Sequence, residues 1–339
     1  GSSLVGSEMC IRDRQKLYNF IMLILVLKRI LLGLITLFIV SLITFVGVEV
    51  LPGDACTTYL EREAYGAALE ACYKRLGLDI PAYERYVSWA IGVIQGDFGY
   101  SLSGEMKIND VLGPRVKNSL VLASASILIG IPIALLLGII TALWRDKMPD
   151  IIISTFTIFS MTIPEFISAT LLILIVAIWL EWLPGIVIVP TGASVSELLP
   201  NIILPVIAIS MIMTAHMARM VRSSVIQVMA SDYVQMAILK GVPYWKMVFK
   251  HVLPNALLPA INVVALTIAW LLGGVVVTEV VFNYPGLGRL VIESISNRDL
   301  PVVQALAIIL ASIYVIINLI ADLLTLMLNP RLKSLQIKK

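Results

Sequence analysis

Long apolar runs separated by short polar breaks dominate this chain. Six of them, at about 28–50, 119–143, 152–180, 198–218, 256–282 and 303–328, are each near or above the roughly 20 residues that cross a bilayer as a helix. They predict an all-α integral membrane protein with six transmembrane helices. The first run is too long, and too far from any small-residue cleavage site, to be a removed signal peptide. Proline recurs inside the runs at Pro132, Pro164, Pro205 and Pro259. Each is expected to kink its helix, because it removes a backbone hydrogen bond. Gly273-Gly274 would let a neighbouring helix approach closely.

Basic residues between the runs set the orientation. Lys28 and Arg29, Arg145 and Lys147, Arg219, Arg222, Lys240, Lys246 and Lys250, and finally Arg331, Lys333, Lys338 and Lys339 all fall on one side. The opposite short breaks hold none, at about 183–197, or only Arg289 and Arg298. Both termini and the 231–255 loop are therefore expected in the cytoplasm, and the long segment 51–118 outside. That segment carries helical patches, Leu60–Leu76 and Tyr83–Ile94, which predict a small external cap. Cys56 and Cys72 both lie in it, where oxidation is permitted. They are candidates for a disulfide, with two unrelated thiols as the alternative. A bridge would stabilise the cap by roughly 3 kcal/mol in the chain-entropy model. Leu4 to Arg14 resembles a translated library adapter, so residues 1–15, with Cys10, read as a non-native or disordered extension, with a natural N-terminal tail as the alternative. A natural start at Met22 fits the run that follows.

Composition narrows the function. Of 339 residues 59% are hydrophobic and 14% charged, with a mean hydropathy of +0.95, so a soluble domain is excluded. A net charge of +3 is too small to suggest nucleic acid. No phosphate-cradling loop is present, since Gly113 to Ser119 lacks the second glycine and a correctly placed lysine. His216 and His251 have no companion ligands at metal spacing, and no serine has a plausible buried partner base. Neither a cofactor nor a metal is expected. Ionisable groups at membrane depth are the remaining chemistry. Glu165 and Glu279 are weak pathway candidates, and for Glu165 a helix-packing hydrogen bond at a kink is the plainer role. Asp322 reads as a structural partner, and Glu49 and Glu181 as span-end residues reaching water.

The most informative break is Ser231 to Asn255, S-D-Y-V-Q-M-A-I-L-K-G-V-P-Y-W-K-M-V-F-K-H-V-L-P-N. It predicts two short helices. Ser231 or Asp232 would cap the first, Gly241 would end it with a positive φ, and Pro243 would start the second. Tyr233 and Ala237, four apart, would share a face suited to a groove on another protein. An amphipathic loop resting on the bilayer accounts for the same residues, Lys240, Lys246 and Lys250 included.

The run resembles the EAA loop of type I ATP-binding-cassette (ABC) importer permeases, with Ala237, Gly241, Leu253 and Pro254 at the matching positions. It departs from that pattern at Gln235, Met236 and His251. The looser form, D-Y-V-x-x-A-x-x-K-G, is similar to that of dipeptide and oligopeptide permeases. Leu51-Pro52-Gly53-Asp54, Leu76-Gly77-Leu78-Asp79 and Gly96-Asp97-Phe98-Gly99-Tyr100-Ser101 resemble the N-terminal region of that group. E-V-V-F-N-Y-P-G-L-G-R (279–289), Asn297-Arg298-Asp299 and Leu328-Asn329-Pro330-Arg331 resemble its B-type subunits.

The resemblance implies a permease subunit of an importer for peptides or a related solute, such as nickel or glutathione. It would have a sizeable external loop after the first helix and would not itself be an enzyme. The implied partners are a second homologous permease, two cytoplasmic ATPase subunits and an external solute-binding protein. Tyr233, Ala237, Lys240, Gly241, Leu253 and Pro254 would couple to the ATPase. The implied layout is 16–118 for the first helix and cap, 119–330 for the permease domain and 331–339 for a cytoplasmic tail. An ion-coupled carrier using Glu165, Glu279 and Asp322 is the alternative, and the inverted repeat it needs is not evident. The charge pattern makes one test direct. A reporter fused after Val195 should lie outside the cell and one after Val242 in the cytoplasm; both on one side would remove a span.

Overall fold

The computed structural model describes residues 2–50, 56, 65–76, 79–102, 106–190 and 192–328. The Leu51–Asp54 phrase, Gly77-Leu78, Asn329–Arg331 and the 331–339 tail lie outside them. Among the described residues every regular element is helical, with one isolated antiparallel bridge, Tyr100 to Lys107.

In chain order the helices are α1 (Ser2–Val50), α2 (Gly66–Leu76), α3 (Ala82–Gln95), α4 (Ile108–Leu143), α5 (Met148–Thr162) and α6 (Glu165–Leu172). After α6 the chain winds into a wider π-helical stretch, Ile173–Trp179. Then follow α7 (Val195–Leu198), α8 (Ile203–Met229), α9 (Asp232–Leu239), α10 (Tyr244–Met247), α11 (Leu253–Val281), α12 (Leu287–Ser296) and α13 (Leu300–Leu328). Each predicted apolar run is helical. Four helices among the described residues are long and apolar enough to cross a membrane, α1, α4, α8 and α13, or five spans if α5 and α6 count as one. α11, at 29 residues, occupies the remaining run.

The third run departs from expectation. α5 and α6 meet at a bend of 107°, so 152–180 is two helices at a sharp angle and not one kinked span. Pro164 explains the break. Its ring disfavours α geometry at the preceding residue, and Ile163 is extended at φ −81° and ψ 127°. The other prolines do not break their helices. Pro132 lies inside a continuous α4, and Pro205 sits in the first turn of α8, where no backbone donor is lost.

Helix ends also differ from the ends of apolarity. α4 begins at Ile108 and α8 runs on to Met229. Both extensions bury side chains against other helices, Leu112 with Leu287 and Leu290, and Val221 and Val225 with Met247 and Val248. α1 begins at Ser2, so residues 2–15 continue the same helix.

The most extensive pairing is α4 with α8. Ser126, Gly130, Ala134, Gly138 and Ala142 recur at every fourth position of α4, and all are buried. Small residues at this spacing form a groove that a neighbouring backbone can enter. A Cβ on Gly138 would stand 2.7 Å from the Ala218 carbonyl oxygen and 2.6 Å from Val221 Cβ. Across the seam Ser210 Oγ donates to the Ser126 carbonyl at 3.3 Å, and Thr214 Oγ1 to that of Gly130 at 3.2 Å. In lipid there is no hydrophobic drive between helices, so close packing and these bonds must hold them. α11 also packs along α8 and touches α4, and α1 runs along α13.

Overfilling the seam is therefore costly. Gly138→Val should lower the thermal unfolding midpoint in detergent, by about 1–3 kcal/mol of stability. Gly113→Ala, whose Cβ meets nothing within 4 Å, should be neutral or slightly stabilising.

Candidate functional site

The break between α8 and α11 folds as two short helices. Ser231 precedes α9 with extended backbone, φ −74° and ψ 149°, yet makes no side-chain cap. Its hydroxyl instead donates back to the Val228 carbonyl at 2.5 Å. Gly241 has φ +72° and donates its N–H to the Ile238 carbonyl at 2.9 Å. Pro243 stands at the cap position of α10, one residue before its first turn.

One side of this loop is anchored. Val234, Met247, Val248 and Val252 are buried against the ends of α4 and α8, with Leu253 among them. Each such burial is worth roughly 1.5–3 kcal/mol. The other side is open. Leu239 is 80% exposed, and Met236, Trp245 and Phe249 are each more than half exposed. Trp245 stacks on Phe249 with centroids 6.0 Å apart, and Tyr244 meets Trp245 edge-on at 5.4 Å.

The six residues singled out from the sequence divide between these sides. Tyr233, Lys240, Gly241 and Pro254 are exposed and Leu253 is buried. Ala237 is half-buried and packs against the chain's own cluster with Val234, so it does not share the open face with Tyr233. The outward aliphatic positions are Met236, Ile238 and Leu239. The pattern hid this because α9 is apolar on two sides.

At the same end Arg222 grips Asp150 with two bonds, Nε to Oδ1 at 2.8 Å and Nη2 to Oδ2 at 2.7 Å. Asp150 also accepts from the Asp146 N–H and the Ser154 hydroxyl, both at 2.9 Å. This clamp ties the start of α5 to α8. It was missed in sequence because the partners are 72 residues apart and Arg222 counted only as a topology signal.

Glu279 lies at the opposite end of α11 and is wholly buried. Ser119 Oγ of α4 donates to Oε1 at 2.5 Å, and the N–H groups of Gly288 and Arg289 donate to Oε2 at 2.6 and 3.2 Å. The carboxyl thus occupies the N-terminus of α12, where orphan backbone donors favour negative charge. The turn between is tied to α4. Tyr284 Oη donates to the Asn118 carbonyl at 2.7 Å, Asn118 Nδ2 donates to the Pro285 carbonyl at 2.9 Å, and the Leu287 N–H donates to Ser119 Oγ at 2.8 Å. Burial, with Glu279 beside it, pushes the Tyr284 phenol above its usual range and keeps it a donor. A Cβ on Gly286 would fall 2.1 Å from Glu279 Oε1, and one on Gly288 2.4 Å from Val276 Cα. The glycines of this phrase are therefore required for close approach as well as for a turn.

Next to Glu279, Thr278 Oγ1 donates to Glu165 Oε1 at 2.7 Å, linking α11 to the start of α6. Asp322 pairs with Arg29 at 2.9 Å, and Glu49 with Arg85 at 2.5 Å. Asp299, buried, accepts from Ser101 Oγ at 2.5 Å and from the Leu102 N–H at 3.1 Å. A disulfide joins Cys56 to Cys72, with Cα atoms 5.8 Å apart. An open cavity of about 550 Å³ follows another face of α4, lined by Val116, Lys117, Leu120, Ser124 and Leu128 with Val195 and Leu199. At its rim Lys117 Nζ donates to the Ala193 carbonyl at 2.7 Å. Among the described residues no group of three or more His, Cys, Asp or Glu is arranged to hold a metal.

The Glu279 knot makes a sharp expectation. Glu279→Ala strands three buried donors, at about 1–3 kcal/mol each, and Gly286→Ala drives a methyl into the carboxyl. Both should lower the detergent unfolding midpoint by about 3 kcal/mol or more of stability, with expression at low temperature as control. A midpoint unchanged in both would show that the knot does not hold α12.

Comparison with known proteins covers almost the whole chain. Residues 134–334 match the family model described as binding-protein-dependent transport system inner membrane component, and residues 22–118 match its N-terminal companion. The glutathione transport system permease protein GsiC of Escherichia coli (strain K12) is 37% identical over 313 residues, 92% of this chain and 99% of that protein. The protein of the same name from Shigella dysenteriae serotype 1 (strain Sd197) gives the same figures, and that of Shigella flexneri serotype 5b (strain 8401) is 36% identical over the same length. These relatives are permease subunits and not enzymes. With the family match spanning the helical bundle and its N-terminal region, the chain belongs to the binding-protein-dependent ABC importer permeases of the dipeptide and oligopeptide type, multi-pass proteins of the inner membrane.

Proposed function

We propose that this chain forms one half of the translocation pathway for a peptide-like solute of glutathione size, and that loop 231–255 is where ATPase movement reaches it. The family implies ATPase and binding-protein partners in general. A second homologous permease, two ATPase subunits and one external binding protein complete the assembly we propose. Both termini and the loop are then cytoplasmic, and the region from α2 to the start of α4 is external. The domain layout follows, with 16–118 as first helix and cap and 119–330 as the permease core. Similarity to the glutathione permeases over nearly their whole length favours a thiol tripeptide or short peptide as solute.

The observation that carries the coupling role is the division of the loop. Buried Val234, Met247 and Val248 fix it to α4 and α8, while Met236, Leu239 and Trp245 stand exposed beside Lys240 and Gly241. A push on the open side is therefore delivered to the two most closely packed helices. A permease makes no bond; it converts differential contact into opening toward one side or the other. Glu165 and Glu279 remain candidates for the pathway wall, and Lys117 at the cavity rim would favour an anionic solute. An ion relay would need its carboxylates free to exchange protons. Local hydrogen bonds to Glu165 and Glu279, and the ion pair of Asp322, weigh against that use.

The test separates coupling from folding. Gly241→Pro cannot adopt the positive φ found here and removes an N–H in use. Leu239→Glu places a charge on the open face without touching the anchored one. Each should cut ATP-driven uptake in reconstituted vesicles by about tenfold, the effect of ~1.4 kcal/mol lost from docking. Membrane insertion should be unchanged. Uptake at the parental rate in both variants would mean that coupling enters elsewhere, and that the loop rests on the bilayer.

A further inference from the structure

Helix α3 has three distinct faces. At about 100° per residue, Arg85, Tyr86 and Trp89 form one sector, and this sector packs on α1. Arg85 pairs with Glu49, the Tyr86 hydroxyl is 2.8 Å from that of Ser41, and Phe45 meets the rings of Tyr86 and Trp89 at 5.3 and 6.2 Å. The three α1 residues recur four apart, so α3 lies against one stripe of α1's last turns. A second sector, about 80° wide by the same rotation, holds Tyr83, Val87, Ile91 and Ile94. These are 70, 53, 50 and 86% exposed. Between the two lies a narrower sector of Glu84, Ser88 and Gln95, also exposed.

Depth says what covers the apolar sector. Arg29, paired with Asp322, marks one end of the α1 span, and Glu49, paired with Arg85, stands twenty residues later. At about 1.5 Å per residue the two ion pairs are ~30 Å apart, the thickness of a bilayer's hydrocarbon core. α3 therefore crosses α1 just inside the second boundary, over the ~12 Å from Glu49 back to Ser41. Away from its contacts with α3 and α13, α1 is itself apolar and exposed along its span. With Arg85 paired, the only other charge on α3 is that of Glu84, in the polar sector. Tyr and Trp side chains are those that membrane interfaces enrich.

We propose that α3 lies in the membrane interface on the far side from loop 231–255. Tyr83, Val87, Ile91 and Ile94 enter the acyl boundary, Glu84, Ser88 and Gln95 face water, and the third face holds α1. An interfacial helix of this kind fixes the depth and tilt of α1, whose contacts within the chain are chiefly with α13. The proposal rests on the chain spanning the membrane and not on the coupling role of the loop.

The test is spin-label accessibility in the assembled transporter, reconstituted in phosphatidylethanolamine–phosphatidylglycerol vesicles. Single cysteines would replace Val87, Ile91 and Ile94 on one face and Glu84, Ser88 and Gln95 on the other, with Cys10→Ser and the native disulfide intact. Oxygen, which partitions into lipid, should relax labels at 87, 91 and 94 more than a water-soluble nickel chelate does. The logarithm of that ratio should change sign at 84, 88 and 95. Nickel reaching 87, 91 and 94 as readily as the polar positions would overturn the proposal by placing the face in water. Exclusion of both relaxants from 87, 91 and 94 would overturn it equally, since another protein chain would then cover the face.

Discussion

The bundle depends on the backbone contact between α4 and α8. Where lipid surrounds a protein, apolar side chains gain nothing by leaving it, so helices associate only as well as they fit. The stripe from Ser126 to Ala142 permits that fit, with hydroxyls from Ser210 and Thr214 reaching carbonyls across the seam. Everything that looks functional hangs from the two ends of this pair. Loop 231–255 is seated on one end through Val234 and Met247, and the Glu279 knot ties α11 and α12 to the other through Asn118 and Ser119.

Polar groups in this protein are placed so that each carries a joint. Asp150 and Arg222 hold α5 against α8, Glu279 holds α12 against α4, and Asp299 holds Ser101 and Leu102 against the turn before α13. A buried carboxylate is costly unless its lone pairs are satisfied, and each of these accepts two or more bonds. Rigid joints at both ends suit a protein that moves by rearranging whole helices. Among the described residues, the 107° break at Pro164 is the one place where a predicted span divides into two arms.

The wide apolar surface of the isolated chain is of two kinds. Around α1 it is continuous and featureless, as expected of lipid contact. On loop 231–255 it is a compact aromatic and aliphatic patch on an anchored base, beside lysine. The first is met by a solvent and for the second we propose a partner, and the same scale of hydrophobicity describes both.

Composition and periodicity alone determined that the chain is a helical membrane protein, where its apolar runs lie, and that 231–255 is a two-helix break whose first helix ends in a glycine at positive φ. These are local properties: bilayer thickness sets the run length, and only glycine tolerates that φ without strain. The family was legible too, because its phrases are short and contiguous. Tertiary structure decided what contiguity cannot carry. It made Glu279 the cap of α12, turned Ala237 inward and Leu239 outward, paired Asp150 with Arg222, and extended α4 and α8 beyond their apolar runs. The reason is common to all four. A side chain's partner there is set by which helices meet in space, and a helix apolar on several faces does not announce which face will be covered.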